Sequence, residues 1–370
     1  VSLPLLASIF VLSGCGTVTA PSVLDTGLVA FGDSNTYGTG YQPSYPAQMH
    51  SIYWPPDSPF HNYGNPGDAC WNQDVAIFNA LRPQPLGNPT MILMVGSNDR
   101  FYFDGTAAAK ADYSECQMAA GAYAALPSTS VVAGSSSQVQ LTGTWSPDTT
   151  YPGLNGLVST TSSSCATTTQ TLPSGLAYLW FIKEQSSGGT FSVAIDGTLA
   201  TDSITGASTL SSQTHSAQGQ HYPALARFVA SAGTHKLAVC TASATGASND
   251  VHLLGFGFPP AAKAAAPTAP HVYLAGVLHY FNDPTDQQYP GLAIANSLNQ
   301  QAAATLAADN LNVVFVDVRA YVDPYFGMLA VAQGNCNASL QPGFHLNNCG
   351  TYSMVQAYWQ AIYGQLGSIL

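Results

Sequence analysis

Short unbroken apolar runs recur along this chain, separated by stretches of helical composition. Gly27-Leu-Val-Ala-Phe31, Met91-Ile-Leu-Met-Val95, His271-Val-Tyr-Leu-Ala-Gly-Val277 and Val313-Val-Phe-Val-Asp317 read as buried strands. Helices are expected from Tyr45 to Tyr53, Ala107 to Leu126, Leu292 to Leu311 and Thr351 to Leu366. Strands apolar on both faces, alternating with helices, predict an α/β fold with a parallel sheet covered on both sides.

Residues 128–258 follow a different pattern. They are rich in Ser, Thr and Gly, with strand-like alternation from Leu176 to Ile182, Phe191 to Ile195, Ala226 to Ala230 and Lys236 to Val239. Asp196-Gly197 is a hairpin signal, and short strands at this spacing predict an all-β sandwich. The Pro- and Ala-rich stretch 259–270 reads as a linker. The expected organisation is an α/β domain in two parts, 24–127 and 271–370, interrupted by a β-sandwich.

Composition narrows the partners. Only 7% of the 370 residues are charged, Lys and Arg number eight, and the formal net charge is −11. Nucleic acid and anionic membrane surfaces need clustered cations and are excluded as partners. At the N-terminus, Val1 to Val11 is apolar and runs into Leu12-Ser13-Gly14-Cys15. The run is shorter than the roughly 20 residues a membrane-spanning helix needs, and it reads as a signal-peptide core. The tetrapeptide resembles a bacterial lipobox, so residues 1–23 are expected to be a lipoprotein-type signal segment and tether, with a lipid anchor at Cys15. The alternative is an ordinary secretory signal in which Cys15 is incidental; either way the protein is expected to be exported, to the cell envelope, the periplasm or the medium. Setting Cys15 aside leaves Cys70, Cys116, Cys165, Cys240, Cys336 and Cys349, an even set that suggests disulfides in an exported chain. The expected pairs are Cys336–Cys349, bracketing His345, with Cys165–Cys240 and Cys70–Cys116. No Cys-x-x-Cys or Cys/His spacing suggests zinc, and no cofactor is implied.

Four segments carry candidate chemistry. Phe31-Gly-Asp-Ser-Asn-Thr-Tyr-Gly38 follows the first strand, placing Ser34 on a tight turn at the carboxyl end of the sheet. Asn62-Tyr-Gly-Asn-Pro-Gly-Asp68 is a glycine-lined loop open to close backbone approach. Gly96-Ser-Asn-Asp99 ends the second buried strand and offers a side-chain amide, and Gly343-Phe-His-Leu-Asn-Asn348 offers a histidine before the closing helix.

In this order the blocks resemble the SGNH (GDSL-like) hydrolases. The resemblance implies a flavodoxin-like three-layer α/β/α domain, with an all-β sandwich inserted in this chain. It makes Ser34 the nucleophile and His345 the base. The oxyanion hole is then formed by the Ser34 N–H, the Gly67 N–H and the Asn98 side chain. Tyr45-Pro46 also looks like members of the family. Members usually place an aspartate three residues before the histidine, and here that position is Pro342. A backbone carbonyl from 341–343 orienting His345 would make a Ser–His dyad; otherwise Asp323 or Asp317 fills the place. His279 is the competing base, while Asp33 and Asp99 are expected to hold loops.

The expected reaction is hydrolysis of short acyl esters through an acyl-enzyme, with O-acetyl groups on a carbohydrate as the substrate. An O-acyltransferase would use the same residues, and a non-catalytic surface glycan-binding lipoprotein is the rival outside enzymology. A long-chain lipase is disfavoured, because the sequence has no long apolar lid segment. The inserted sandwich resembles the jelly-roll domains of carbohydrate-binding modules. Its aromatic residues Trp145, Tyr151, Tyr178, Trp180, Phe181 and Tyr222 are either stacking platforms for sugar rings or core, with Tyr178, Trp180 and Ile182 expected to turn into the sandwich core. Trp145 and Tyr151 are the candidate exposed platforms.

Overall fold

The computed structural model describes residues 27–39, 42–81, 89–99, 106–148, 155–184, 188–213, 222–245, 249–264, 270–280, 285–322 and 345–367. The signal segment, Cys15, Asp323 and Cys336 lie outside these residues.

The first α/β part contains β1 (Leu28–Gly32), α1 (Ser34–Tyr37), α2 (Tyr45–Tyr53) and β2 (Phe60–Gly64), then α3 (Cys70–Leu81), β3 (Thr90–Met94) and α4 (Ala107–Ala125). Twelve strands of the insert follow: β4 (Val131–Ala133), β5 (Gln140–Thr142), β6 (Ser146–Pro147), β7 (Leu157–Ser159), β8 (Cys165–Leu172) and β9 (Leu176–Lys183). The remaining six are β10 (Thr190–Ile195), β11 (Thr198–Leu199), β12 (Thr209–Ser211), β13 (Tyr222–Val229), β14 (Gly233–Ser243) and β15 (Val251–Gly257). The chain then returns with β16 (His271–Ala275), α5 (Pro290–Ala308), β17 (Val313–Val316) and α6 (Asn348–Gly367).

β17, β16, β3, β1 and β2 form a five-stranded sheet in that order, every pairing parallel. Side chains alternate between two helical layers, as a strand's two-residue period requires. Val29 and Phe31 join Ile77 and Phe78 of α3, Ala119 of α4 and Leu306 of α5. Leu28 and Ala30 join Tyr45 and Met49 of α2 and Tyr358 and Ile362 of α6. The four expected strands are present to within a few residues. β2 and α3 carry no clear signal in the sequence: Phe60-His-Asn-Tyr-Gly64 is a half-buried edge strand, and fully buried Asp74 interrupts the apolar pattern of α3. No described helix is long and apolar enough to cross a membrane.

The insert holds two six-stranded sheets, ordered β11-β10-β14-β8-β5 with β12 beside β10, and β13-β9-β15-β7-β6 with β4 beside β15. Asp196 and Gly197 take φ of 51° and 80°, the double left-handed conformation of a two-residue hairpin joining Ile195 to Thr198. Cys165 bonds Cys240 across β8 and β14, and Cys70 bonds Cys116 between α3 and α4. Cys349 is also disulfide-bonded, while Cys336 lies outside the described residues.

One expectation is corrected here. β9 is buried at all eight positions. Ala177, Leu179 and Phe181 face the sandwich core, but Tyr178, Trp180 and Ile182 face the helices of the α/β part. Trp180 lies edge-on to Tyr123 at 5.6 Å and donates its indole N–H to the Ala119 carbonyl at 3.3 Å. At the ends of this contact, Lys183 pairs with Asp112 (2.7 Å) and Glu115 of α4, and Arg227 forks onto Asp309 after α5 at 2.7 and 2.6 Å. A sheet covered on one face by its partner sheet and on the other by helices has no free face, so the sandwich is built into the α/β part rather than hung from it.

Candidate active site

Because β1, β2, β3 and β16 run parallel, their carboxyl ends share one edge of the sheet, and the loops beyond them carry Ser34, Gly67, Asn98 and His279. Gly32 closes β1 where the chain folds back on itself: a Cβ there would lie 1.9 Å from Thr36 Oγ1. Asp33 then caps α1, its Oδ1 accepting the Asn35 N–H at 2.9 Å, which is the loop-holding role expected of it. Ser34 is thereby fixed at the first position of α1, only 8% exposed.

His345 comes from just before α6, far along the chain, and its Nε2 lies 3.1 Å from Ser34 Oγ. The next residue is tied to the same turn, the Leu346 N–H donating to Asn35 Oδ1 at 3.0 Å. Asn35 carries no signal in the sequence beyond standing next to Ser34. Beneath this turn the Tyr45 hydroxyl meets Thr36 Oγ1 at 3.0 Å, and its ring stacks on Tyr358 of α6. Burial pushes the Tyr45 phenol far up, so it serves as a neutral bridge.

Gly67 has φ of +90°, and a Cβ built there would meet nothing within 4 Å, so the loop's backbone is bare on that side. Asn98 donates its amide to the Asp68 carbonyl at 2.8 Å, joining the loop after β3 to the loop carrying Gly67. Asp99 accepts the Cys70 N–H with both carboxylate oxygens, at 3.2 and 3.1 Å, which orders the start of α3. From the other side, fully buried Asn299 of α5 donates to the Val95 and Ala275 carbonyls at 3.1 and 3.0 Å, pinning the ends of β3 and β16.

Asp74, on α3, is fully buried, with Oδ2 3.5 Å from Cys116 Sγ. Bonded cysteines have no proton to donate, so in this contact the carboxyl must be the donor. Burial, with the Asp99 charge adding to it, pushes the Asp74 pKa well up, in agreement. With both sulfurs committed to the disulfide, Cys70, Asp74 and Cys116 do not make a metal site.

His279 is engaged elsewhere: its Nδ1 meets Asp286 Oδ1 at 3.0 Å, and Asp286 also takes Arg319 Nη1 at 2.5 Å. Among the described residues the imidazole at Ser34 Oγ belongs to His345. Asp317 is exposed at the end of β17, where its carbonyl accepts the Ala320 N–H at 3.3 Å. Residues 341–344, with the backbone carbonyls of a dyad, lie outside the described residues. Trp145 is half-buried against the sandwich core with its indole nitrogen enclosed, so it does not stand out as a stacking platform. The Tyr151 and Tyr222 side chains lie outside the description.

No protein-family profile matches this chain, and no curated protein matches it. Solved structures resemble it in part. A two-domain esterase active on acetylated mannans has a TM-score of 0.37 at 12% identity, covering 62% of this chain and 90% of its own. A family two carbohydrate esterase from Cellvibrio japonicus has a TM-score of 0.24 at 16% identity, covering 40% and 38%. AlinE4, an SGNH-hydrolase family esterase, has a TM-score of 0.21 at 27% identity, covering 25% and 50%. None of these scores is high enough to transfer a residue's role, and the functional reading rests on the side chains described above.

Proposed function

We propose that this protein is an SGNH-type serine esterase, and the observation that carries the reading is the 3.1 Å approach of His345 Nε2 to Ser34 Oγ. A serine hydroxyl is a weak nucleophile until a neighbouring base takes its proton. In the proposed reaction Ser34 Oγ attacks the ester carbonyl while its proton passes to His345 Nε2. The tetrahedral oxyanion is held by the Ser34 and Gly67 N–H groups and by the Asn98 amide, whose second hydrogen is not needed for Asp68. Collapse expels the alcohol, which takes the proton from His345 and leaves an acyl-Ser34. Water then repeats the steps with His345 as base, releasing the acid.

In this reading the α/β part is the flavodoxin-like SGNH domain, formed by 24–127 and 271–370, and 128–258 is the inserted sandwich. Five parallel strands between two helical layers support that layout. The proposed substrates are short acyl esters, with an O-acetylated carbohydrate as the natural one. The disulfides fit an exported protein, and lipidation at Cys15 belongs to the same proposal.

Hydrolysis of p-nitrophenyl acetate by wild type and Ser34→Ala tests the reading. Turnover that falls by about 10³ or more in the variant is expected for a nucleophile that acts as a unit with its base. Absence of turnover in folded wild type overturns it, as does a Ser34→Ala variant that keeps wild-type turnover.

A further inference from the structure

Four ionisable side chains converge inside the sandwich, none of them among the residues of the proposed Ser34–His345 site. His252 on β15 is 4% exposed, Glu184 just after β9 is 4%, Asp250 just before β15 is 8%, and Asp148 just after β6 is 9%. Three carboxylates around one imidazole is an arrangement that burial makes costly unless something positive lies between them.

The geometry of the imidazole is specific. Nδ1 sits 2.9 Å from Asp148 Oδ2, a hydrogen bond that fixes the ring's orientation. At the other nitrogen, Nε2 lies 3.2 Å from Glu184 Oε1 and 3.3 Å from Asp250 Oδ2, and is enclosed without a hydrogen bond to either. Asp250 Oδ1 is likewise buried without a hydrogen bond. Ligands about 2.1 Å from a zinc-sized ion and about 100° apart stand about 3.2 Å from one another, which is the spacing seen here. The ligand atoms of Glu184, Asp250 and His252 all lie within 4.8 Å of each other. A carboxylate on the far nitrogen of a histidine, holding its tautomer and orientation, is the usual outer partner of a metal-bound imidazole.

We propose that Glu184, Asp250 and His252 bind a divalent transition-metal ion of the zinc type, with Asp148 orienting His252 from behind. One nitrogen and two carboxylate donors suit zinc or manganese, whereas calcium takes oxygen ligands in larger number. The backbone around the cluster is knitted for rigidity: Glu184 N–H donates to Ser212 O at 2.6 Å, Ser212 N–H to Gly189 O at 2.9 Å, and Gly189 N–H to Asp250 O at 2.6 Å. An ion there ties the ends of β6, β9 and β15 together, so its role is structural and independent of the esterase reading.

The test uses the protein without an affinity tag, stripped with EDTA, then dialysed against zinc chloride. Metal analysis is expected to find one zinc per chain, with a rise in Tm that EDTA reverses. Asp148→Asn should keep the site but weaken it by about 10–100-fold. Glu184→Gln with Asp250→Asn should lose the bound zinc. No retained zinc and no shift in Tm in the wild type overturns the proposal, as does a full equivalent of zinc in the double variant. If the double variant does not fold, the wild-type stoichiometry and the reversible Tm rise decide.

Discussion

The Leu346 N–H donates to Asn35 Oδ1 at 3.0 Å, so the residue after the histidine is anchored to the residue after the serine. The two halves of the proposed catalytic pair are thus joined by their neighbours as well as by their own contact. Asn35→Ala is expected to lower kcat by at least about tenfold with little change in KM, since misplacement by about 1 Å costs up to about 10². Asn35→Asp keeps an acceptor for Leu346 and should recover most of the loss. Equal kcat in wild type and Asn35→Ala would remove the positioning role.

Asn98 carries the heaviest expectation after Ser34 and His345. Asn98→Ala should reduce kcat by about 10²–10³, the usual cost of one oxyanion donor. Its hydrogen bond to Asp68 O is made in the resting protein, so part of any loss could come from the loop instead. Comparing kcat with the urea midpoint separates the two. A catalytic donor lowers kcat while leaving the midpoint near wild type.

The Cys70–Cys116 disulfide closes a sequence separation of 46 residues, worth about 4 kcal/mol in the chain-entropy account. Cys70→Ser with Cys116→Ser should lower stability by roughly that amount in urea titration. The Cys70 N–H also holds Asp99, so the loop carrying Asn98 should loosen and activity fall along with stability.

Asp74 predicts a pH dependence with a definite sign. Its folded pKa is raised, by burial first and by Asp99 second, so the native state holds a proton that the unfolded chain releases near pH 4, at about 3.9. Its contribution is fully present below that unfolded value and is lost as pH rises through the folded one. Asp74→Asn should therefore match wild type in the acid range and gain on it steadily as pH rises. Denaturation curves of the two proteins across pH check this, and parallel pH profiles would refute it.

Lys183 is buried against Asp112 and Glu115, and the three form one charge cluster between sandwich and α4. Burial pushes the Glu115 carboxyl up to about 7 even with Lys183 pulling it back down. Lys183→Met leaves two buried carboxylates with no cation, and should cost about 3–5 kcal/mol. Adding Asp112→Asn and Glu115→Gln should restore much of it, which calorimetry of the single and triple variants can read.

Much of this protein is legible along the chain. Four strands are unbroken apolar runs, and an all-apolar run in a short segment has few alternatives to a buried strand. Ser34, Gly67, Asn98 and His345 stand in local motifs that keep their identity wherever the fold places them. β2 and α3 were not legible, because a half-buried edge and a buried acid both break the pattern that marks an element.

The alternation of strands and helices, the interrupting β region and the residue types available for chemistry can all be read along the chain. Which side of β9 meets the helices is settled by packing alone, since both faces of Leu176–Ile182 are apolar and either can turn inward. Packing likewise brings Ser34 to His345, 311 residues away, and Asp148 to His252, 104 residues away. One cause underlies all three. Local pattern reports how a residue relates to its own strand or helix, while a contact between distant residues depends on how those elements pack, which no single segment encodes.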